Sequence, residues 1–375
     1  MLVKVFFLVY GLTSGGIERI AINVYKYIDK SKFDINLITK YNKREFFDDE
    51  LEAYGGKRVP LLSNCKDRGL MKRIKLALNI PKVMKDGYEI GYFNLNAPKD
   101  AFKYPLLGKV MGMKYIIIHS HNSSEDKGSI LNRLINKFGR LAIDIIANKK
   151  LTCSEKAAVW MYSKKTIQSS DYIQINNGID MGLFGYDKDV REKLRRQLGI
   201  QDKFVVGHVG RFSPQKNHKF LVNIFGEIHK INPNSCLLLL GTGSMVEEIR
   251  IYVEQCGLSD SIKFMGAQSN VHEYMQAFDV FLLPSIYEGL PVVGIEAQSA
   301  GLRCFFSNRI TESADITGNV NFLSLEEDAE IWAQKIVQEC SEYLRKDVSD
   351  VIKRHHFDVE SSVKAIEKAM REMFK

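Results

Sequence analysis

No two of the six cysteines (Cys65, Cys153, Cys236, Cys256, Cys304 and Cys340) stand at the spacing of a metal clip or a redox pair. This argues against a metal cluster and against a disulfide framework, and it suits a reducing cytoplasm. No apolar run approaches the length of a membrane span. The opening MLVKVFFLVYGL imitates a signal peptide. Its apolar run is short, however, and passes into Gly-rich polar sequence with no small-residue cleavage site, so it reads as a buried first strand. There is no repeat of solenoid period and no low-complexity tract. The sequence also lacks a G-x-G-x-x-G fingerprint, a phosphate loop ending in Gly-Lys-Ser/Thr, and any recognised nucleic-acid motif.

What is present is enough for two cores. The 375 residues are 45% hydrophobic and 10% aromatic, long for a single core and comfortable for two. The net charge of +8 is unevenly placed: residues 1–200 carry 35 Lys and Arg against 21 Asp and Glu, residues 201–375 carry 18 against 24. A basic half suits phosphates, nucleic acid or an acidic lipid surface, although a solvated lysine-rich surface accounts for it equally.

Short apolar runs alternate with amphipathic stretches. VKVFFLVY, FDINLIT, EIGYFNL, KYIIIHSH, KKLTCS and YIQINN read as strands of a first half; FVVGHVG, SCLLLLG, IKFMG, DVFLLPS and LRCFFSN read as strands of a second. Between them lie helical spacings such as Ile17, Ile20, Ala21, Val24 and Ile28. Continuous apolar strands joined by helices imply parallel sheets covered on both faces. The expectation is therefore an α/β chain with two doubly wound, Rossmann-like domains. The charged segment YDKDVREKLRRQLGIQDK places the boundary near residues 180–202. The expected domains are 1–180 with 360–375, and 181–359. The stretch from Val359 to Phe374 is helical in pattern and has no strand after it.

Ligands of such sheets sit beyond the carboxyl ends of the strands, and four strand ends carry unusual chemistry. In Gly11-Leu-Thr-Ser-Gly-Gly-Ile-Glu18, Gly15 and Gly16 open a helix, which favours an anion; a plain strand–helix turn explains them as well. At His119-Ser-His-Asn122, His119 and His121 point the same way. With Asn122 they suit hydrogen bonds to a polyhydroxylated ligand, and a pair of surface histidines is the competing reading. After Gly207-His-Val-Gly210, Arg211 and Lys216 share one loop, and a guanidinium fork with an ammonium matches a diphosphate. After DVFLLPS, Pro291 fits the first turn of a helix, Glu288 precedes that turn, and Glu296 falls inside it. Carboxylates are poor phosphate ligands and good acceptors for hydroxyls. Two acids flanking a diphosphate site therefore suit a ribose on one side and a sugar on the other.

In this order the motifs resemble the retaining glycosyltransferases of family 4, which have the GT-B fold, and the resemblance runs through most of the chain. It rests on Gly15-Gly16, His121, Asn177-Gly178-Ile179-Asp180, Gly210-Arg211 with Lys216, Gly241-Thr-Gly243, and Pro284-Ser285 leading to Glu288, seven residues and Glu296. The forms HSHN and PQKNH look most like bacterial capsule and exopolysaccharide enzymes. The resemblance implies two domains facing across a cleft, with the last helix crossing back to the first. It implies that Arg211 and Lys216 bind and stabilise the leaving diphosphate. Glu288 would hold the donor sugar and Glu296 the ribose, while Gly289 and Leu290 present backbone N–H groups. Gly15 and Gly16 would close on the diphosphate, joined by Gly210, Gly241 and Gly243 as donor-binding glycines, and His121 would meet the sugar near its reacting carbon. A UDP-sugar donor, a lipid-diphosphate-linked or saccharide acceptor, no metal and no other cofactor are expected, in a cytoplasmic enzyme.

The sequence departs from the family in two places. Gly301-Leu-Arg303 stands where relatives often have Gly-x-Pro, which leaves the start of the next strand open. Asp187-Lys-Asp189 imitates the metal-binding D-x-D of the other transferase fold and reads here as a helix cap. An epimerase-like enzyme of the same fold is the alternative reading, and a non-enzymatic anion binder a weaker one. Residues 69–85 form a helical wheel with Lys72, Arg73, Lys75 and Lys82 on one side and Leu70, Ile74, Ala77 and Leu78 on the other. The expectation is that the apolar side packs on the first sheet and the cationic side meets the anionic inner leaflet.

Overall fold

A computed structural model describes residues 2–13, 15–63, 69–121 and 129–374. The chain divides into two compact units, residues 1–178 with 359–375, and residues 179–358.

Among the described residues the first unit holds seven strands: β1 (Val3–Leu8), β2 (Phe33–Tyr41), β3 (Arg58–Leu62), β4 (Ile90–Leu95), β5 (Tyr115–Ser120), β6 (Lys149–Thr152) and β7 (Ile173–Gln174). They lie parallel in the order β3-β2-β1-β4-β5-β6-β7. Alternate residues of each strand feed opposite faces. Val5, Phe7 and Tyr92 enter one core, Phe6, Leu8 and Phe93 the other. Phe7 stacks on Tyr92 at 4.2 Å. Fully burying such side chains contributes roughly 1.5–3 kcal/mol each. The first core is closed by the helix Gly16–Tyr27 and by the last helix, Val359–Arg371, whose Val363, Ile366 and Met370 join Ile20 and Val24. Ser362 Oγ donates to the Asn176 carbonyl at 2.8 Å.

The second unit holds β8 (Phe204–Val209), β9 (Ser235–Leu240), β10 (Ile262–Gly266), β11 (Val280–Leu283), β12 (Arg303–Ser307) and β13 (Val320–Leu323), parallel in the order β10-β9-β8-β11-β12-β13. All six residues of β9 are buried, as a strand covered on both faces requires. The entry and exit of this unit pair directly, Ile179 N–H donating to the Phe357 carbonyl at 2.6 Å.

Four sequence expectations need correction or completion. Two strands, β3 and β13, went unread. Both are sheet edges. RVPLL carries a proline that only an edge tolerates, and VNFL is four residues long. The helix Gly69–Met84 turns the other way round from the expectation: Leu76, Ile80 and Met84 are buried, while Leu70, Ile74, Ala77 and Leu78 are exposed. Lys72 lies over the Tyr41 ring, 5.2 Å from its centre, so one of the expected outward cations is half-buried. Pro291 is the cap of its helix rather than a first-turn residue. β12 begins at Arg303, where the guanidinium pairs with Glu339.

The charged segment forms the helix Lys188–Leu198. Asp187 caps it, accepting from Val190 N–H at 3.0 Å, and Gly199 ends it at φ 66°. Arg191 and Arg195 donate to carbonyls at the end of the helix Val271–Ala277 and pair with Asp279. Cations at a helix C-terminus are stabilised by its dipole, which explains why so polar a segment is not simply solvated.

Candidate active site

In each unit the strand order reverses at one place, between β1 and β4 in the first and between β8 and β11 in the second. The loops leaving such a switch point open the crevice where ligands bind.

In the second unit those loops are 210–217, after β8, and 284–291, after β11. They are tied together by Ile286 N–H donating to the Gln215 carbonyl at 2.8 Å. Pro214–Lys216 form a single 3-10 turn that aims Lys216 across the gap. Its Nζ meets Glu288 Oε1 at 2.6 Å, with side-chain exposures of 14% and 10%. Gln215 Nε2 donates to Glu288 Oε2 at 3.2 Å and to the Tyr287 carbonyl at 3.0 Å. Both carboxylate oxygens of Glu288 are thus held, and a short, shielded ion pair is stronger than a surface one. Arg211 is exposed and makes no ion pair among the described residues. One cation is locked to a carboxylate and one is open to an anion.

Gly210, Gly241 and Gly243 sit at the ends of β8 and β9. Gly241 has φ 133°, and a Cβ there would lie 2.0 Å from the Gly210 carbonyl oxygen. Only glycine lets these two strand ends approach so closely. Gly289 and Leu290 are half-buried just before the helix Val292–Ser299, and Glu296 is half-buried on its second turn. Gln298 on this helix escaped the sequence reading. Buried, it donates to the Gly294 and Ala314 carbonyls at 3.1 and 2.7 Å and accepts from Ile316 N–H at 2.8 Å. It fixes the helix that carries Glu296 to the segment after β12.

In the first unit His119 and His121 lie on the same side, their rings 3.9 Å apart. Asn122 lies outside the described residues. His121 Nε2 is 2.7 Å from Asn94 Oδ1, and Asn94 Nδ2 donates to the Leu8 carbonyl at 2.8 Å. The backbone carbonyl accepts only, so it fixes which end of the amide faces His121. The imidazole must then carry its proton on Nε2 and keep Nδ1 as an acceptor. That Nδ1 is buried and without a partner among the described residues. Burial lowers the His121 pKa to about 3, so the ring is neutral. Asn94 on β4 was missed by sequence reading, because nothing local marks it. Gly15 caps the helix Gly16–Tyr27, and a Cβ on it would meet Glu18 Oε2 at 2.3 Å. Thr13 Oγ1 donates to the same carboxylate at 3.1 Å. The helix start expected to take an anion therefore already has an acid beside it.

His119, His208 and His218 are at most 2% exposed. Burial holds all three pKa values down, that of His218 to about 4. In the unfolded chain each ring takes up a proton near pH 6.5. Their contribution is therefore complete above pH 6.5 and is lost as the pH falls toward the folded values. The His218 ring should cost about 2 kcal/mol at pH 5. Denaturant titrations at pH 7.5 and 5 should show this loss. In His218→Phe the difference should shrink; an unchanged difference would mean that this ring does not contribute.

Two doubly wound parallel sheets, each with one switch point, define the GT-B fold. Residues 190–358 match the model of the family described as glycosyl transferases group 1. The chain is a glycosyltransferase, similar to the GT4-like enzymes of GT-B fold. It is 29% identical over 368 residues to the putative glycosyltransferase EpsF of Bacillus subtilis, covering 97% of this chain and 95% of that one. It is 27% identical over 310 residues to the UDP-Gal:alpha-D-GlcNAc-diphosphoundecaprenol alpha-1,3-galactosyltransferase of Escherichia coli, covering 78% and 76%. Among solved structures, HepE of Anabaena, crystallised with UDP and glucose, superposes with a TM-score of 0.78 at 20% identity, over 98% of this chain and 99% of that one.

Proposed function

We propose that the enzyme moves a hexosyl or N-acetylhexosaminyl group from a UDP-sugar to a lipid-diphosphate-linked acceptor in polysaccharide assembly, with retention at the anomeric carbon. The observation that carries this reading is the Lys216–Glu288 pair beside the open Arg211, at the switch point of the second sheet. Two relatives support it: the Escherichia coli enzyme acts from UDP-Gal on a diphosphoundecaprenol acceptor, and a relative in Staphylococcus aureus is a capsular polysaccharide biosynthesis glycosyltransferase.

In this proposal the acceptor oxygen attacks the anomeric carbon from the face the diphosphate leaves. The carbon–oxygen bond to UDP breaks, and a phosphate oxygen of the leaving UDP takes the acceptor proton. Arg211 and Lys216 meet the charge that develops on the diphosphate, assisted by the helix start at Val292. Glu288 accepts from donor-sugar hydroxyls, Glu296 from the ribose. Gly289 and Leu290 offer N–H groups, and Gly15, Gly16, Gly210, Gly241 and Gly243 allow close backbone approach. His121, neutral and with Nδ1 as acceptor, contacts a sugar hydroxyl. Asn94 keeps it in that tautomer. No metal is assigned a role.

The two acids provide the test. Glu296→Gln should weaken free UDP about tenfold, the loss of one charge-assisted hydrogen bond. Glu288→Gln should leave UDP affinity nearly unchanged and lower turnover of the UDP-sugar on the order of 100-fold. Calorimetry with UDP and a donor-consumption assay check both. Equal loss of UDP binding in the two variants would refute the division of roles.

A further inference from the structure

Three neighbouring helical segments of the first unit turn apolar side chains to the outside. In the helix Ile130–Ile146, Asn136, Gly139 and Ile143 face inward. A Cβ on Gly139 would lie 2.4 Å from the Pro98 carbonyl oxygen, so the helix seats tightly on the turn Pro98–Phe102 and its opposite face is fixed outward. That opposite face is not polar. Leu131, Leu134, Phe138, Leu141 and Ile145 are exposed, Ile145 by 84% and Phe138 by 58%. At 100° per residue they form one stripe, with Arg133, Lys137 and Arg140 along one flank. The helix Gly69–Met84 repeats the pattern, with Leu70 at 72% and Ile74 and Leu78 outward, beside Lys75 and Lys82. Between them the short helix Pro105–Val110 and the turn before it expose Phe102, Leu106 and Val110, four residues apart.

Single exposed apolar residues are ordinary, whereas a patch built by three adjoining segments marks an interaction surface. Its charge selects the occupant. Residues 69–85, 98–114 and 130–146 contain twelve Lys and Arg against two Asp. A second copy of the chain would set these cations against their like, which is costly. We infer that this face docks on an anionic bilayer, the apolar stripes entering the acyl boundary and the flanking cations meeting lipid phosphates. Among the described residues no helix is long and apolar enough to cross a membrane, so the docking is interfacial. This replaces the purely electrostatic contact expected from Lys72, Arg73 and Lys75 with one that combines insertion and charge. It deepens the lipid-linked reading of the acceptor, but it is tested without donor or acceptor, so either idea can fail alone.

The experiment uses the full chain and vesicles of equimolar phosphatidylcholine and phosphatidylglycerol, with pure phosphatidylcholine as the second arm. The wild-type chain should co-sediment with the mixed vesicles at least about tenfold more strongly than with the neutral ones. At 1 M salt, where screening acts within about 3 Å, binding should weaken but persist through the apolar stripe. The triple variant Phe138→Ser, Leu141→Ser, Ile145→Ser should lose binding at least about tenfold at both salt concentrations. Its melting temperature and its turnover of a water-soluble acceptor analogue should be unchanged. No binding of the wild-type chain to mixed vesicles, or wild-type binding by the triple variant, overturns the proposal. So does a wild-type dimer in sedimentation equilibrium that the triple variant converts to monomer without any change in vesicle binding.

Discussion

Arg211→Ala and Lys216→Ala are both expected to lower turnover at saturating donor by roughly 100- to 1,000-fold, the cost of losing one preorganised charge donor, while only the second lowers stability. Arg211 is exposed, so its loss should leave the melting temperature in place. Lys216 is shielded and paired to Glu288 at 2.6 Å. Removing it leaves a largely buried carboxylate held by Gln215 alone, which costs about 1–3 kcal/mol. The difference is diagnostic, because a merely structural lysine would lower stability without changing turnover of the folded fraction. Lys216→Arg should recover the stability and part of the rate. Near-normal turnover of Arg211→Ala would remove this residue from the diphosphate site.

Gly241→Ala is expected to be the most damaging single substitution in the second unit. Its φ of 133° is strained for any residue with a Cβ, and the added carbon would stand 2.0 Å from the Gly210 carbonyl oxygen. Backbone strain and overpacking together cost about 3–5 kcal/mol. For a unit of this size that lowers the melting temperature by roughly 10–15 °C. The clash falls on the residue just before Arg211, so the variant should also turn over donor slowly at temperatures where it is folded. Scanning calorimetry and a donor-consumption assay at low temperature separate the two effects. A variant within about 3 °C of the parent would show that the strand ends can spread at little cost.

The candidate site was legible in unequal parts. Arg211, Lys216 and Glu288 could be found because their loops follow short, largely apolar strands, and polar groups after a buried strand have few other reasons to be there. Gln298 could not be found in this way. A glutamine inside a helix looks like any solvated one until the segment after β12 packs over it and supplies donors and acceptors. Asn94 was hidden for a related reason. Its value lies in a chain from His121 on one side to the Leu8 carbonyl on the other, and those residues are 27 and 86 positions away. Glu18 sits near Gly15 in the sequence, yet its carboxylate beside the helix start shows only in three dimensions.

By itself the sequence determined the α/β class, eleven of the strands, the doubling of the fold and the loops where chemistry collects. Period and polarity are local properties, and a buried parallel strand or an amphipathic helix writes them directly into its own residues. Only the tertiary structure decided the two remaining edge strands, which half-exposure makes too weakly apolar to read. It alone decided which side of the helix Gly69–Met84 faces inward, since both sides carry apolar residues and the choice depends on the sheet beneath. It also decided that Lys216 meets Glu288 across 72 residues. Neither residue specifies the other. They meet because β8 and β11 are hydrogen-bonded neighbours at the reversal of strand order, and the loops that leave adjacent parallel strands have nowhere else to converge.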